Sequence, residues 1–331
     1  MKKMRGNLLD ISKLKVVFYT YRGVIKALNS VELWMNHGER LGIVGETGCG
    51  KSVTALSIMG LIEQPGEIIE GNIMFEDKLL TCMKENKRND IRGREIAMIF
   101  QEPIAALNPV MKVGFQIAES IARSKKKNMD KEVYSEVRRM LEIAGLDWER
   151  TINLYPHELS GGMAQRVMIA MALSSNPKLL IADEPTSALD VTIQAQILEL
   201  LDDLVKKLGN AVILITHDMG VAAEFCDKMA VMYAGNIVEY ASTTNIFRNP
   251  FHPYTKGLLR AVPKIGRTDE LQSIKGMVPD LANPPTGCRF HPRCKYAMDI
   301  CKKELPALME IKPGHYVACY LYSKEGVKSA N

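Results

Sequence analysis

The feature that most constrains this chain is a glycine-rich octapeptide that directly follows a short apolar run. Residues 45–52 have the sequence GETGCGKS, which fits the pattern G-x4-G-K-S/T. Residues 40–45 (RLGIVG) predict a buried strand, and residues 52–62 (SVTALSIMGLI) predict a helix. Backbone N–H groups converge in such a turn, and the helix N-terminus carries partial positive charge. This segment is therefore predicted to bind the phosphates of a nucleotide.

The expected phosphate contacts are the octapeptide and the residue after it: Gly45, Glu46, Thr47, Gly48, Cys49, Gly50, Lys51, Ser52 and Val53. Lys51 is expected to reach the β- and γ-phosphates of ATP, and Ser52 to bind Mg2+. At Cys49 the backbone N–H matters more than the side chain, so we expect ATP binding to tolerate this residue. Its thiol is expected to be open to oxidation when no nucleotide covers it.

Two adjacent acids end a second apolar run, residues 179–182. An acid at the carboxyl edge of a parallel strand lies beside a phosphate loop, so Asp183 is expected to hold Mg2+ through water. Glu184 is expected to orient and deprotonate the attacking water. The alternative, a single acid that caps a helix, does not account for two acids in this position.

A serine and two glycines, Ser160, Gly161 and Gly162, open another predicted helix and form a second anion-binding tip. One nucleotide needs only one phosphate loop, so this tip predicts a nucleotide shared between two subunits. As a lone pattern it is weak, because the same residues also occur in ordinary turns.

The remaining pattern predicts an α/β fold, and no nucleic acid partner is expected. Helical segments alternate with apolar strands such as residues 211–216 (AVILIT), which is typical of a doubly wound parallel sheet. A β-hairpin is predicted to follow, with its turn at residues 234–236. No apolar run approaches the roughly 20 residues that span a bilayer, and the N-terminus lacks the apolar core of a secretion signal. We therefore expect a soluble, cytosolic chain. A net charge of +5 does not require nucleic acid as a partner.

In their order, these motifs resemble the nucleotide-binding subunits of ATP-binding cassette (ABC) transporters over about residues 10–245. Gln101 matches the Q-loop glutamine, which would sense Mg2+, and His217 matches the switch histidine, which would hold the γ-phosphate and the water. Residues 159–163 match the signature sequence, and residues 187–190, with Asp190, match the D-loop. Tyr19 is the expected adenine-stacking residue, with Phe18 and Tyr21 as alternatives.

The C-terminal quarter resembles the corresponding region of oligopeptide, dipeptide and nickel importer ATPases. Residues 249–259 (NPFHPYTKGLL) and 287–294 (GCRFHPRC) carry this resemblance. It implies an α/β P-loop NTPase core of the ABC type with an antiparallel β subdomain, a helical subdomain and a loop-rich extension stapled by metal. The predicted boundaries are 1–102 and 161–245 for the core, 103–160 for the helical subdomain and 246–331 for the extension.

Four cysteines crowd this extension, namely Cys288, Cys294, Cys301 and Cys319. Cytosolic thiols stay reduced, so a shared metal centre is a better expectation than disulfides. The cysteine set suits Zn2+ or a 4Fe-4S cluster; the spacing lacks a tight C-x2-C pair, while His291 and His315 keep a mixed zinc site open. The resemblance favours the 4Fe-4S cluster over zinc, with four unliganded core cysteines third.

The function implied by the resemblance is ATP hydrolysis at a dimer interface that powers peptide import at the cytoplasmic face of the membrane. The implied partners are two permease subunits, a second ATPase subunit and, indirectly, an extracytoplasmic peptide-binding protein. Permeases are expected to dock just after Gln101, at residues 102–109, although Leu107 could instead be buried. Nickel or another chelated metal is an alternative substrate. Two other functional classes are alternatives. One is an ABC-type ATPase that acts on nucleic acid or in translation, and the other is a redox or iron–sulfur carrier.

Overall fold

The structure is a computed structural model that describes residues 6–187, 189–261 and 274–323. The strands are β1 (Asn7–Thr20), β2 (Gly23–Asn36), β3 (Arg40–Val44), β4 (Gly66–Phe75), β5 (Lys78–Leu79), β6 (Ile96–Ile99), β7 (Leu179–Asp183), β8 (Ala211–Thr216), β9 (Lys228–Tyr233), β10 (Asn236–Ser242), β11 (Met309–Lys312) and β12 (His315–Val317).

The helices are mostly short, and α8 is the longest of those described. They are α1 (Lys51–Met59), α2 (Glu85–Ile91), α3 (Pro103–Ala106), α4 (Val113–Lys125), α5 (Lys131–Ile143), α6 (Trp148–Thr151), α7 (Gly161–Leu173), α8 (Val191–Leu208), α9 (Met219–Phe225), α10 (Thr243–Arg248), α11 (Pro253–Ala261) and α12 (Asp299–Lys303). Short 3-10 helices lie at Pro156–Glu158, His291–Arg293 and Tyr320–Tyr322.

The chain divides into two compact units. The first contains Met1–Met83 and Thr216–Asn331, and the second contains Lys84–Ile215. In the first unit, β2, β1, β4 and β5 form an antiparallel sheet in that order. Leu14 and Val16 of β1 are fully buried, so the long hairpin of β1 and β2 contributes apolar side chains to the core.

The second sheet of this unit joins the C-terminal extension to the strand that precedes the phosphate loop. Strands β11, β12, β10, β9 and β3 are neighbours in that order. Strand β3 runs parallel to β9, and the predicted hairpin at residues 234–236 is confirmed between β9 and β10. Strand β12 pairs with β10, with Glu239 opposite Val317. The extension is thus less irregular than its sequence suggested, because these short strands complete an existing sheet edge.

The second unit combines a parallel sheet with a helical core. Strands β8, β7 and β6 are neighbours in that order, and their continuous apolar sequences are buried, as expected for parallel strands covered on both faces. Helices α4, α5 and α7 pack around Ile117, Val137 and Val167. The side chain of Asp130 caps α5 by accepting hydrogen bonds from the amides of residues 132 and 133.

The described helices were compared with the requirements for crossing a bilayer. None of them combines the length and the apolar character that a membrane span requires.

Candidate functional site

The phosphate loop connects β3 to α1, and its glycines are required by the backbone. A Cβ atom on Gly45 would lie 2.1 Å from the carbonyl oxygen of Met232. Gly50 has a φ of 108° and caps α1, and a Cβ there would lie 2.8 Å from Leu28. The loop therefore packs too closely against its own unit to tolerate side chains at these two positions.

The lysine of the loop is buried and bonds to carbonyl oxygens of the loop itself. Lys51 is only 5% exposed, and its Nζ donates to the carbonyl oxygens of Gly45 (2.9 Å) and Glu46 (3.2 Å). Phosphate oxygens are stronger acceptors for an ammonium group than neutral carbonyls are. Thr47 and Gly48 are exposed at the tip of the loop, while Ser52 and Val53 are half-buried in the first turn of α1.

The thiol of Cys49 is enclosed within this unit. Its side chain is fully buried, and burial raises its pKa to about 11. Oxidants react with exposed thiolates, so the expectation that this thiol is open to oxidation is wrong. The carbonyl oxygen of Cys49 accepts a hydrogen bond from the amide of Gly235 at 2.7 Å, which anchors the loop to the β9–β10 turn.

Two other predicted residues of the first unit are exposed. Tyr19 on β1 is 52% exposed, and its N–H donates to the carbonyl oxygen of Pro65. Of the two alternatives for the adenine contact, Tyr21 is 91% exposed and Phe18 is partly buried. His217 is exposed directly after β8, one residue before the cap of α9.

In the second unit, the predicted acids lie at the end of β7. Asp183 is buried at the last position of the strand. Glu184 follows with a φ of 44°, an uncommon conformation for a residue with a side chain, and its amide donates to the carbonyl oxygen of Ile215. Nε2 of Gln101 lies 3.4 Å from Oε2 of Glu184. The structure thus brings the predicted Q-loop glutamine to the predicted general base.

The signature tip is also in the second unit, at the start of α7. Ser160 caps this helix by accepting a hydrogen bond from the amide of Met163 at 3.3 Å. A Cβ atom on Gly162 would lie 3.0 Å from Cγ2 of Ile193. Asp190 caps α8 in the same way, accepting from the amide of Ile193, whereas Ala188 of the predicted D-loop lies outside the described residues.

The four C-terminal cysteines line one pocket of the first unit, together with His252, His291 and Phe290. None of them forms a disulfide, and Cys301 and Cys319 are buried. Burial raises the pKa of Cys288 to about 11, while hydrogen bonds from the amides of residues 290 and 291 act in the opposite direction. Across the described residues, no three His, Cys, Asp or Glu side chains are close enough to hold one metal ion.

Two side chains contact the phosphate loop without having been predicted to do so. Tyr254 and Arg293, both from the C-terminal extension, form hydrogen bonds with Glu46. Their only sequence signal is that both lie in the two extension segments with a distinctive sequence, residues 249–259 and 287–294.

Known proteins resemble this chain along nearly its whole length. Residues 28–187 match the family model for the ABC transporter, and residues 238–301 match that for the C-terminal region of the oligopeptide/dipeptide transporter. The chain is 49% identical to the oligopeptide transport ATP-binding protein AppD of Bacillus subtilis over 98% of its length and 100% of that protein. The chain belongs to the ABC transporter ATP-binding proteins.

Further relatives and solved structures agree with this membership. The ABC protein is 46% identical to the oligopeptide transport ATP-binding protein OppD of Escherichia coli, over 95% of this chain and 93% of that one. The dipeptide transport ATP-binding protein DppD of Lactococcus lactis is 45% identical over 97% and 92% of the two chains. The dimeric ATP-binding cassette MJ0796, bound to ADP and Pi, superimposes with a TM-score of 0.64 and 29% identity, over 71% of this chain and 98% of that one.

The family membership establishes the reaction class. This ABC protein is an ATPase whose hydrolysis of ATP is coupled to transport. The predicted ATP-hydrolysing subunit of a peptide-type ABC transporter is thereby confirmed.

Proposed function

We propose that this ABC ATPase drives the import of oligopeptides or dipeptides through two permease subunits at the cytoplasmic face of the membrane, with an extracytoplasmic binding protein delivering the peptide. The observation that carries the proposal is the match of residues 238–301 to the C-terminal region of oligopeptide/dipeptide transporters. The relatives AppD, OppD and DppD, which align over nearly the whole chain, are named for the same substrates.

The proposed roles of the ATP-site residues follow from their chemistry. Lys51 and the loop amides bind the phosphates, and Tyr19 stacks on adenine. Ser52 is a Mg2+ ligand, and Asp183 acts on Mg2+ through water. Glu184 takes the proton of the attacking water, with Gln101 beside it at 3.4 Å. His217 orients the γ-phosphate and that water.

Hydrolysis is proposed to require a second ATPase subunit, either another copy or a related chain. Ser160, Gly161, Gly162 and Asp190 of one subunit would face the nucleotide held by the phosphate loop of the other. The exposed serine at the start of α7 supports this role, because a helix N-terminus attracts the charge that develops on the γ-phosphate. The dimeric state of the structural neighbour MJ0796 agrees with it.

The permease contact is proposed at the surface that follows Gln101. Ile104 of α3 is 47% exposed, whereas Leu107 is 4% exposed and belongs to the helical core. We therefore assign docking to Ile104 and its exposed neighbours. Leu107 is excluded from this surface because it packs inside its own unit. A cysteine at position 104 should cross-link to the permease, and a cysteine at the exposed position 142 of α5 should not.

The cysteine-lined pocket is proposed to hold a 4Fe-4S cluster that staples the extension. Its donor set fits: four free cysteines face one pocket, and backbone amides point at Cys288. Across the described residues no three such donors are gathered around one point, so the proposal rests on the four free cysteines that line the pocket. A thiolate-bound cluster is larger, so its ligands stand further apart.

Reconstitution tests the transport proposal. The ATPase, purified from membranes with its permeases, is placed in proteoliposomes together with the binding protein. We expect ATP-dependent uptake of a labelled peptide, and no uptake with a Glu184→Gln subunit. Uptake of nickel without uptake of peptide would show that the substrate is a metal ion. If no permease co-purifies with the ATPase from membranes, the proposal is contradicted.

A further inference from the structure

Arg293 of the extension is bonded to the phosphate loop through its whole guanidinium group. Its Nη1 donates to Oε2 of Glu46 at 2.7 Å and its Nη2 to Oε1 at 3.1 Å, which is a bidentate pair. The remaining N–H groups donate to the carbonyl oxygens of Lys275 and Ile274 and to the hydroxyl of Tyr233. Five donors thus meet five acceptors, in a side chain that is only 6% exposed.

Glu46 is held on its backbone as well. Its amide donates to the phenol oxygen of Tyr254 at 2.9 Å, and the ring of Tyr254 is fully buried against Tyr233. The carbonyl oxygen of Glu46 accepts hydrogen bonds from the amide of Cys49 and from Nζ of Lys51. The second residue of the loop therefore connects two side chains of the extension to the lysine that binds phosphate.

The charge of Glu46 makes this contact more than an anchor. An unpaired carboxylate in a phosphate-binding loop would repel ATP, and the motif G-x4-G-K-S/T does not require an acid at this position. Arg293 neutralises this carboxylate, although the two residues are 247 positions apart in the sequence. Lysine could supply the charge but not the planar, two-pronged geometry.

We infer that Arg293 is a positioning residue for ATP binding: it holds and neutralises Glu46, so the phosphate loop has its binding geometry only when the cysteine-bearing extension is docked. The inference rests on the proposed binding of ATP by this loop. Tyr254 has the same role through the backbone amide of Glu46. The extension is then part of the nucleotide site of its own subunit.

A double-mutant cycle on the full-length chain tests this, with the affinity for a fluorescent ATP analogue as the readout. We expect Arg293→Gln to weaken binding roughly tenfold, because it leaves the Glu46 charge uncompensated. Glu46→Gln alone should change the affinity by less than about threefold, and adding it to Arg293→Gln should restore most of the loss. The ATP affinity of Arg293→Lys should lie between those of the native chain and of Arg293→Gln.

Ionic strength separates this role from a purely structural one. Raising the salt concentration to 1 M shortens the Debye length to about 3 Å, so the deficit of Arg293→Gln should shrink relative to the native chain. Damage to the fold would not be relieved by salt. Tyr254→Phe keeps the buried ring and removes only the acceptor, so its weaker ATP binding remains a test if Arg293→Gln does not fold.

His315→Gln is the matched control. His315 of the extension forms a buried 2.7 Å hydrogen bond with Glu239. A glutamine amide at position 315 can donate to the same carboxylate, so the extension should stay docked and ATP affinity should stay within about twofold of native. Additive losses in the cycle, or unchanged affinity in both Arg293→Gln and Tyr254→Phe, would overturn the inference. Unchanged affinity in Lys51→Ala would instead overturn the assignment of the loop itself.

Discussion

The phosphate loop and the cysteine-lined pocket lie in the same compact unit but are built in opposite ways. The loop is one run of eight residues, 45–52, whose glycines allow the required backbone. The pocket collects four cysteines: Cys288 and Cys294 on either side of a 3-10 helix, Cys301 from α12 and Cys319 from the segment after β12. A contiguous motif carries its geometry with it, whereas a dispersed set depends on the sheet that gathers it.

This difference predicts which kind of loss a substitution causes. A change in a contiguous ATP motif should remove binding or turnover and leave the fold intact. A change in the pocket should act first on the extension and reach ATP only through contacts such as that between Arg293 and Glu46. The following experiments test that division, from the largest expected effect to the smallest.

Glu184→Gln should give the largest effect, a fall in ATP turnover on the order of 10²–10⁴, because the glutamine amide cannot accept the proton of the attacking water. ATP binding should be retained, and the variant should accumulate as a closed dimer with ATP. Steady-state phosphate release and gel filtration measure both. Glu142→Gln, on the exposed face of α5, is the control. Undiminished turnover in Glu184→Gln would exclude this residue as the base.

Lys51→Ala should weaken ATP binding by roughly ten- to a hundredfold, since it removes charge-assisted hydrogen bonds to phosphate worth about 1.5–3 kcal/mol. The melting temperature without nucleotide should change less than the ATP affinity, because the carbonyl oxygens of Gly45 and Glu46 that accept from Lys51 are neutral acceptors. Equilibrium titration with the ATP analogue provides the measurement. Lys206→Ala, an exposed helical lysine, should bind ATP normally.

Cys301→Ser addresses the pocket. We expect anaerobically purified native chain to be brown and to contain about four irons, and the variant to lose most of that iron. ATP affinity should fall a few-fold, because Arg293 lies between Cys288 and Cys294 and would lose the support of the proposed cluster. The control is Cys82→Ser, at an exposed cysteine outside the pocket.

Two results of that experiment would change the comparison. Colourless native protein with one zinc per chain would show that the centre is zinc and not a 4Fe-4S cluster, while its structural role in the extension would stand. Iron loss with fully native ATP affinity would mean that the extension and the phosphate loop act independently.

Cys49→Ser should have the smallest effect, with ATP affinity within about twofold of native, because the loop uses the backbone of this residue. With its pKa raised to about 11 by burial, the thiol is almost wholly protonated at pH 7.5 and should resist alkylation. Its reactivity should rise only as the pH approaches that value. Mass spectrometry after brief alkylation should find Cys82 modified first. Rapid labelling of Cys49 would contradict its buried position.

Much of the fold was predictable from local sequence. The strand–loop–helix unit at residues 40–62, the buried strand that ends at Asp183 and the hairpin at residues 234–236 are all present in the structure. Each depends on residues close together in the chain, so that apolar periodicity and turn residues are sufficient. The edge strands β11 and β12 were missed, because strands of four and three residues have too little periodicity to detect.

Burial was harder to predict than secondary structure. Leu107 and Cys49 both belong to segments with exposed neighbours, yet both side chains are buried. A residue's environment depends on what packs against it from elsewhere in the chain, and sequence spacing carries no record of that packing. For the same reason, the opening of Cys49 to oxidants was predicted wrongly.

The sequence by itself determined the ATP chemistry of this protein, because each motif is a short run of residues whose backbone and side chains act together. Only the tertiary structure decided that Tyr254 and Arg293 of the extension bond to Glu46 of the phosphate loop. Those contacts form between residues brought together by the pairing of β12 with β10 and by the packing of α11. Long-range contacts arise from the free energy of the whole packed unit, which no local pattern encodes.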